Sequence, residues 1–147
     1  MRALITAVGA LALTLPVATA DEKADAVKKL NGSYEVRDYV TDGKSDPLRK
    51  GPGLTASIKD GTIEFKEANK DKVDSAGFTL DPSKKPAQID IRPGLSKEKV
   101  VPGIYEIKET DTGTQLTIAF AKQGGARPKD FKGEEKGEVV LKLFRKK

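Results

Sequence analysis

The 147-residue chain contains no cysteine, no histidine and no tryptophan. Without cysteine no disulfide can form, so the stability of the fold must come from packing alone. The lack of both cysteine and histidine removes the usual ligands of zinc, and we expect neither a metal site nor a cofactor. The same lack excludes the catalytic dyads and triads in which histidine is the base.

Long apolar runs are almost absent too, and the one exception lies at the start of the chain. Residues 3–15 are apolar and uncharged, Pro16 interrupts them, and Ala18-Thr19-Ala20 has the small-x-small pattern that signal peptidase accepts. A membrane-spanning helix needs about 20 apolar residues, and this run is shorter. We therefore predict that residues 1–20 are a cleaved signal peptide. Residues 21–147 should form a single exported domain, periplasmic or secreted, without a membrane span.

The predicted mature part opens with one helix candidate, residues 21–30. Ala24, Val27 and Leu30 share a face at helical spacing, and Asn31-Gly32 is a suitable stop. Beyond this point apolar residues recur at every second position, which is typical of half-buried strands. Eight such stretches follow, separated by glycine, proline and aspartate turns. The longer connections are predicted loops at residues 41–53, 66–74 and 121–137.

Eight strands at this spacing, joined mostly by short links, predict an all-β fold with one short helix. We expect an eight-stranded antiparallel up-and-down barrel, because closure removes the two exposed edges of an open sheet. Side chains alternate between the two faces of a strand, so one apolar set must share one interior. The predicted interior consists of Leu54, Ile58, Phe65, Phe78, Leu80, Ile89, Ile91, Tyr105, Ile107, Leu116, Ile118, Phe120, Leu141 and Leu143.

The opposite parity predicts the outer wall of the barrel. The polar residues expected outside are Glu64, Asp90, Glu106, Thr117 and Lys142. Val140 and Phe144 break this pattern, because they are apolar at outward positions. We predict that they form a dry patch on the outer wall and that the apolar face of the N-terminal helix docks on it.

Four short motifs occur along the chain in order. They are Leu30-x-Gly32-x-Tyr34, Asp81-Pro82-x-x-x-Pro86 followed by Ile89-Asp90, Gly103-Ile104-Tyr105, and Arg127-Pro128-x-x-Phe131. With these motifs, residues 30–147 resemble an uncharacterised bacterial domain family, abundant in planctomycetes, whose members are mostly small exported proteins. That family looks lipocalin-like. The resemblance implies a calycin-like barrel but no reaction, because the family has no established activity.

The resemblance also implies a structural role for three residues. Lipocalins have Gly-x-Trp on their first strand and a basic residue on their last, and the two meet at the closed end of the barrel. Gly32-x-Tyr34 and Arg145 are the matching positions here. An arginine over an aromatic face stabilises by about 0.5–2 kcal/mol. Tyrosine stands in place of the tryptophan, and the Thr-Asp-Tyr segment of kernel lipocalins has no counterpart, so ligand carriage does not follow from the resemblance.

The residue pattern indicates no catalytic centre. The strand carboxylates Glu35, Glu64, Asp90 and Glu106 fall at outward positions, where they are solvated partners for the many lysines. The chain has 27 basic and 22 acidic side chains, a net charge of +5, and the two signs are interleaved. Nucleic-acid binding would need a concentrated basic face with stacking aromatics. We therefore expect neither an enzyme nor a nucleic-acid-binding protein.

Two functions remain open for a monomeric domain of this kind. In the first, the barrel holds a small apolar ligand. The candidate ligand-binding residues in its interior are Leu54, Phe65, Phe78, Tyr105 and Phe120. In the second, the barrel is filled, and the domain is a structural or interaction module that contacts an envelope protein or polymer through its loops.

The loop residues Arg127 and Phe131 allow two interpretations. An arginine in a loop can bind a ligand, which makes Arg127 and its neighbour Phe131 candidates for a binding site. We favour a structural plug, in which Phe131 caps an open edge of the core and Arg127 donates hydrogen bonds to loop carbonyls.

The predicted cleavage is testable on exported protein. We expect the mature chain to begin at Asp21, because the small-x-small pattern ends at Ala20. N-terminal sequencing or intact-mass measurement of the exported product checks this. A product that retains Met1, or that stays embedded in the membrane, would contradict it.

Overall fold

The computed structural model describes residues 16–46, 53–68, 70–71, 73–95, 98–122 and 124–147. The apolar run at residues 3–15 lies outside the described residues, as do parts of the predicted loops. In the described parts the chain forms one helix and nine strands. They are α1 (Ala20–Leu30), β1 (Gly32–Thr41), β2 (Lys44–Asp46), β3 (Leu54–Lys59), β4 (Thr62–Glu67), β5 (Val73–Asp81), β6 (Ala87–Pro93), β7 (Val101–Thr110), β8 (Gly113–Ala121) and β9 (Glu138–Lys146). No helix among these residues is long and apolar enough to cross a membrane.

The strands form one closed antiparallel sheet. From β3 to β9 each strand pairs with the next, and β1 pairs with β3 on one side and with β9 on the other. The β1–β9 pairing closes the wall into an eight-stranded barrel, which confirms the predicted fold class. We call the end where β1 begins and α1 lies the closed end. The opposite end, with the β4–β5, β6–β7 and β8–β9 connections, is the open end.

The short strand β2 was not predicted, because it lies in the expected loop at residues 41–53. It forms a hairpin with the last residues of β1, in which Val40 pairs with Ser45. Asp42 and Gly43 make the turn, with φ values of 50° and 68°. Positive φ at both positions is typical of a type I′ turn, for which Asp-Gly is a preferred pair. The local turn chemistry therefore accounts for β2.

The barrel interior is one apolar cluster. The fourteen residues predicted for it all belong to the cluster or pack against it. Leu116 and Leu143 are completely buried and lie opposite each other on β8 and β9. Burying a side chain of this size stabilises the fold by about 1.5–3 kcal/mol, so the interior supplies the stability that disulfides provide in many exported domains.

The polar residues predicted outside follow the expected parity with one difference. Glu64 is exposed, and Asp90, Glu106 and Lys142 are half-buried. Thr117 is only 3 % exposed. It lies between Glu106 and Lys142 in the sheet, and long side chains on both neighbouring strands can cover a short threonine.

A second, smaller apolar cluster lies on the outer wall. Val40, Ile104, Ala119 and Val140 are buried there, and the half-buried Phe131 packs against them. Val140 is thus part of a dry outer patch, as predicted, but the β8–β9 loop and not the helix covers it, and Phe144, predicted for the same patch, does not belong to it. We call these five residues the outer patch.

A bulge in β1 explains why this strand contributes to both clusters. The register against β9 shifts between Val36 and Asp38, so the parity of the strand reverses there. Val36 consequently packs in the interior and Val40 in the outer patch. At the bulge, the guanidinium carbon of Arg37 lies 3.5 Å from the centre of the Phe144 ring. A cation therefore covers Phe144.

The predicted docking of the helix on the outer wall is wrong. Ala26 and Leu30 of α1 belong to the interior cluster and Val27 packs against it, whereas Ala24 is exposed. Only Asn31 separates α1 from β1, so the last helical turn must stay at the end of the barrel where β1 begins. There it covers the interior.

The first turn of α1 carries a capping box. The Thr19 hydroxyl accepts a hydrogen bond of 3.3 Å from the backbone N–H of Glu22, and the Glu22 carboxylate accepts one of 2.9 Å from the backbone N–H of Thr19. Such a cap stabilises a helix by about 0.5–2 kcal/mol. Thr19 lies upstream of the predicted cleavage position.

Because the loop covers the outer patch, we predict that a charged side chain at the outward position 140 destabilises the fold. We expect Val140→Lys to lower the free energy of unfolding by at least about 3 kcal/mol, because it buries an unpaired charge under the loop. Ser57→Lys adds the same side chain at an exposed outward position opposite Glu64, and should change stability by less than about 0.5 kcal/mol. Urea denaturation checks both. Equal effects would mean that the loop does not cover Val140.

Candidate functional site

The interior of the barrel contains a cavity of about 200 Å³. Its wall is formed by inward-facing residues of β3 to β9, and Leu30 of α1 contributes from the closed end. All the described residues that line it are apolar: Leu30, Ile58, Ile63, Phe65, Ala76, Phe78, Ile89, Ile91, Pro93, Val101, Ile118, Phe120 and Leu141.

The size and lining of the cavity limit what it can hold. An apolar cavity of about 150 Å³ stays free of water and accommodates benzene, whereas pockets for drug-sized ligands are about 300–1,000 Å³. At about 200 Å³, this cavity lies between the two. It offers a small molecule dispersion contacts and no hydrogen-bond partner from the described side chains.

A groove adjoins the cavity at the open end. It has a volume of about 530 Å³ and shares Phe65, Ala76 and Pro93 with the cavity wall. Its outer margin is formed by Val73, Asp74, Ser75, Gly94 and Leu95. Phe65 is half-buried, so its ring stands where the closed interior meets the groove.

The structure brings three of the five predicted interior candidates together around the cavity. Phe65, Phe78 and Phe120 line it. Leu54 lies beside Phe65 in a smaller recess at the open end, with Glu67, Lys70 and Asp74. Tyr105 lies instead toward the closed end, where it lines a different groove.

Sequence reasoning missed five of the cavity residues. Leu30 was expected on the outer wall, and Ile63 and Ala76 belong to predicted strands but not to the predicted interior set. Pro93 and Val101 flank the β6–β7 connection and line the cavity near its open end. Proline normally marks the end of a strand. Only the alternation of β6, continued by two residues beyond the inward-facing Ile91, could have predicted that Pro93 faces the interior.

The groove at the closed end is larger and more polar than the cavity. It has a volume of about 580 Å³ and lies between α1 and residues Pro82, Ser83, Tyr105 and Ile107. Burial raises the pKa of the Tyr105 phenol, and the nearby Asp81 carboxylate adds to the effect. Pro16 and Val17 also line this groove, and both belong to the predicted signal peptide, so the groove changes if the chain is processed. We therefore take the cavity as the candidate site.

Tyr34 and Arg145 meet at the closed end. Tyr34 is 1 % exposed, and its hydroxyl donates a hydrogen bond of 2.9 Å to the backbone carbonyl of Leu30. The guanidinium carbon of Arg145 lies 5.4 Å from the centre of the Tyr34 ring. Arg145 also donates to the Asn31 carbonyl and, at 3.1 Å, to the Thr114 hydroxyl. Burial raises the pKa of the Tyr34 phenol, which the Arg145 charge partly opposes.

Gly32 is required by the same contact. Its φ of +147° is unfavourable for other residues, and a Cβ atom there would lie 2.6 Å from Cδ of Arg145. A side chain at this position would therefore displace the arginine. Gly32, Tyr34 and Arg145 together tie α1, β1 and β9 at the closed end.

Arg127 and Phe131 fasten the β8–β9 loop to the outer wall. Arg127 donates hydrogen bonds of 3.1 Å and 2.6 Å to the carbonyls of Ile89 and Gly103, and its guanidinium lies 2.7 Å from the Asp90 carboxylate. These are strand carbonyls and not the loop carbonyls that the plug interpretation named. Phe131 packs against the other four residues of the outer patch, so it covers this smaller cluster on the outer wall and not an open edge of the barrel core.

The strand carboxylates stand apart from the cavity. Asp90 pairs with Arg127, Glu106 lies 3.0 Å from Lys108, and Glu35 lies 3.4 Å from Arg37. The described part of the chain contains no group of three or more acidic side chains that could hold a metal ion.

Comparison with protein-family models, with curated proteins and with solved structures found no significant match.

The contacts at the closed end predict how strongly three alanine substitutions destabilise the fold relative to one another. We expect Tyr34→Ala to cost about 3–5 kcal/mol of unfolding free energy, because it empties a fully buried position. Arg145→Ala should cost about 1–3 kcal/mol, through lost charged hydrogen bonds and the contact with the ring. Lys146→Ala, at the exposed neighbouring position, is the control and should be close to neutral. A Tyr34→Ala protein as stable as the unmodified chain would refute the structural role.

Proposed function

We propose that this chain is an exported, non-enzymatic, lipocalin-like domain that binds a small apolar ligand inside its barrel. The observation that carries the proposal is the cavity of about 200 Å³ whose described lining is apolar. An empty cavity costs stability, because the side chains around it lose packing contacts. A bound apolar molecule would restore these contacts, and its transfer from water would be favourable.

The chemistry of the lining selects the ligand class. A polar group placed in the cavity would lose its hydrogen bonds to water without replacement, at a cost of about 1–3 kcal/mol. The ligand is therefore apolar where it is buried. Its buried part is about the size of one or two fused rings, or of a short hydrocarbon segment.

Two further observations support the lipocalin-like and exported parts of the proposal. The meeting of Arg145 with the Tyr34 ring at the closed end is what the resemblance implied for a lipocalin-like barrel. Export is supported by the signal-peptide pattern at residues 1–20. A non-enzymatic role is supported by the lining of the cavity, because the described residues around it include no acid, base or nucleophile.

The alternative is an interaction module that acts through its loops with a filled barrel. The cavity favours the binding role, since a barrel of packed side chains would leave no such space. The bonds of Arg127 to strand carbonyls and to Asp90 also direct its guanidinium at the wall of the barrel and not outward to a partner.

Naphthalene is a suitable probe for the cavity, because it is apolar and consists of two fused rings. We expect it to shift the methyl resonances of Ile63, Ile89 and Ile118, which line the cavity, and to raise the melting temperature. At a concentration of 100 times Kd the stabilisation would be about 2.7 kcal/mol. Native mass spectrometry of the exported protein would in addition reveal a co-purified natural ligand.

A cavity-filling variant provides the control. Ala76→Phe adds a ring at a half-buried position in the lining and should abolish naphthalene binding. Ala24→Phe adds the same ring on the exposed side of α1 and should leave binding unchanged. Unshifted interior methyl resonances in the unmodified protein, or equal binding by the Ala76→Phe protein, would reject the proposed function.

A further inference from the structure

Exposed apolar side chains cluster at the open end. Among the described residues the exposed large hydrophobics of the barrel are Val73, Leu95 and Val100, with exposed fractions of 44 %, 59 % and 42 %. Val17, the fourth exposed one, lies in the predicted signal peptide. We call Val73, Leu95 and Val100 the apolar rim.

The apolar rim is continuous with the cavity. Val73 and Leu95 line the groove at the open end, and its inner wall, formed by Phe65, Ala76 and Pro93, is also the wall of the cavity. Val100 directly precedes Val101, another cavity residue. The groove with Val73 and Leu95 and the cavity thus share an apolar wall.

The backbone holds Leu95 in an unusual conformation at this rim. Its φ is +59°, a left-handed value that a bulky residue rarely adopts. Two hydrogen bonds fix the turn: the N–H of Leu95 donates to the Arg92 carbonyl at 3.3 Å, and the N–H of Gly94 donates to the Ser75 carbonyl at 2.9 Å. The turn is tied to β5, so Leu95 stays at the surface without being drawn into the core.

We propose that the apolar rim docks on an anionic lipid surface, from which the ligand enters the barrel. This proposal rests on the proposed function, because a ligand that is apolar where it is buried concentrates in lipid rather than in water. Direct contact between rim and bilayer lets such a molecule move into the cavity without crossing water.

The net charge favours an anionic surface. Residues 21–147 contain 26 basic and 22 acidic side chains, a net charge of +4, and a positive protein is attracted to anionic headgroups. At the apolar rim itself, the positive Arg92 and Lys99 are matched in number by the negative Asp74 and Glu98, so the attraction comes from the net charge of the whole domain. We therefore expect apolar insertion to supply most of the affinity and the lipid charge to increase it.

Vesicle flotation tests this surface. The probes are vesicles of phosphatidylcholine mixed with phosphatidylglycerol, and vesicles of phosphatidylcholine alone. We expect the purified protein to float with both and more strongly with the anionic vesicles. Leu95→Asp combined with Val100→Asp should lower the partition coefficient by more than about tenfold, because two apolar side chains no longer enter the interface.

A matched control separates the effect of the substituted positions on vesicle binding from the effect of the added negative charge. Ala24→Asp combined with Ser33→Asp adds the same two negative charges at exposed positions of the closed end, and should retain most of the binding. Circular dichroism confirms that both double variants are folded. The proposal is overturned if the unmodified protein binds neither vesicle, if both double variants bind equally, or if the rim variant only dissociates a dimer, which would assign the rim to a second copy of the chain.

The vesicle experiment and the naphthalene experiment fail independently. Vesicle binding contains no added ligand, so it can succeed when naphthalene does not bind, and the proposed function alone would then be rejected. If naphthalene binds but the rim variant floats like the unmodified protein, the cavity stands and the lipid surface is rejected.

Discussion

The antiparallel pairing of β1 with β9 is the contact on which the rest of the structure depends. These strands lie far apart in the chain, and their pairing joins the two edges that an open sheet would expose. The same pairing brings Arg145 of β9 to Tyr34 of β1. It also encloses the cavity, because an open sheet would expose the same side chains to water. Closure of the barrel is therefore the condition both for the packed interior and for the cavity.

Local patterns in the sequence predicted most of the wall. Side chains alternate between the two faces of a strand, whichever strand it pairs with. The interior could therefore be identified from the alternation of residues such as Leu116 and Ile118 alone. The Asp42-Gly43 pair is also a local turn signal, and it could have predicted the hairpin that contains β2. The position of α1 and the cover over Val140 could not be predicted in this way, because an apolar face does not specify which other apolar face it meets. Phe131 and Leu30 both needed a partner, and only the folded chain shows which one each takes.

The cavity illustrates a second limit of sequence reasoning. Interior positions such as Phe65 and Phe120 follow from parity, but an empty volume is a small difference between the space inside the barrel and the volume of the side chains that fill it. That difference depends on rotamers and on the tilt of every strand. Tyr105 shows the consequence: its parity points inward, yet its position along the barrel directs it to the closed end, away from the cavity.

The position of Thr19 gives the proposed cleavage after Ala20 a structural consequence. That cleavage would remove both the capping residue Thr19 and Ala20, the first residue of α1, and the new ammonium group of Asp21 would stand at the positive end of the helix dipole. Loss of the cap alone costs about 0.5–2 kcal/mol. The last helical turn would remain tied through Leu30 and Tyr34. Cleavage would thus leave α1 with a frayed first turn and a fixed last turn, and the uncleaved and cleaved chains would exchange amide hydrogens at different rates in this helix.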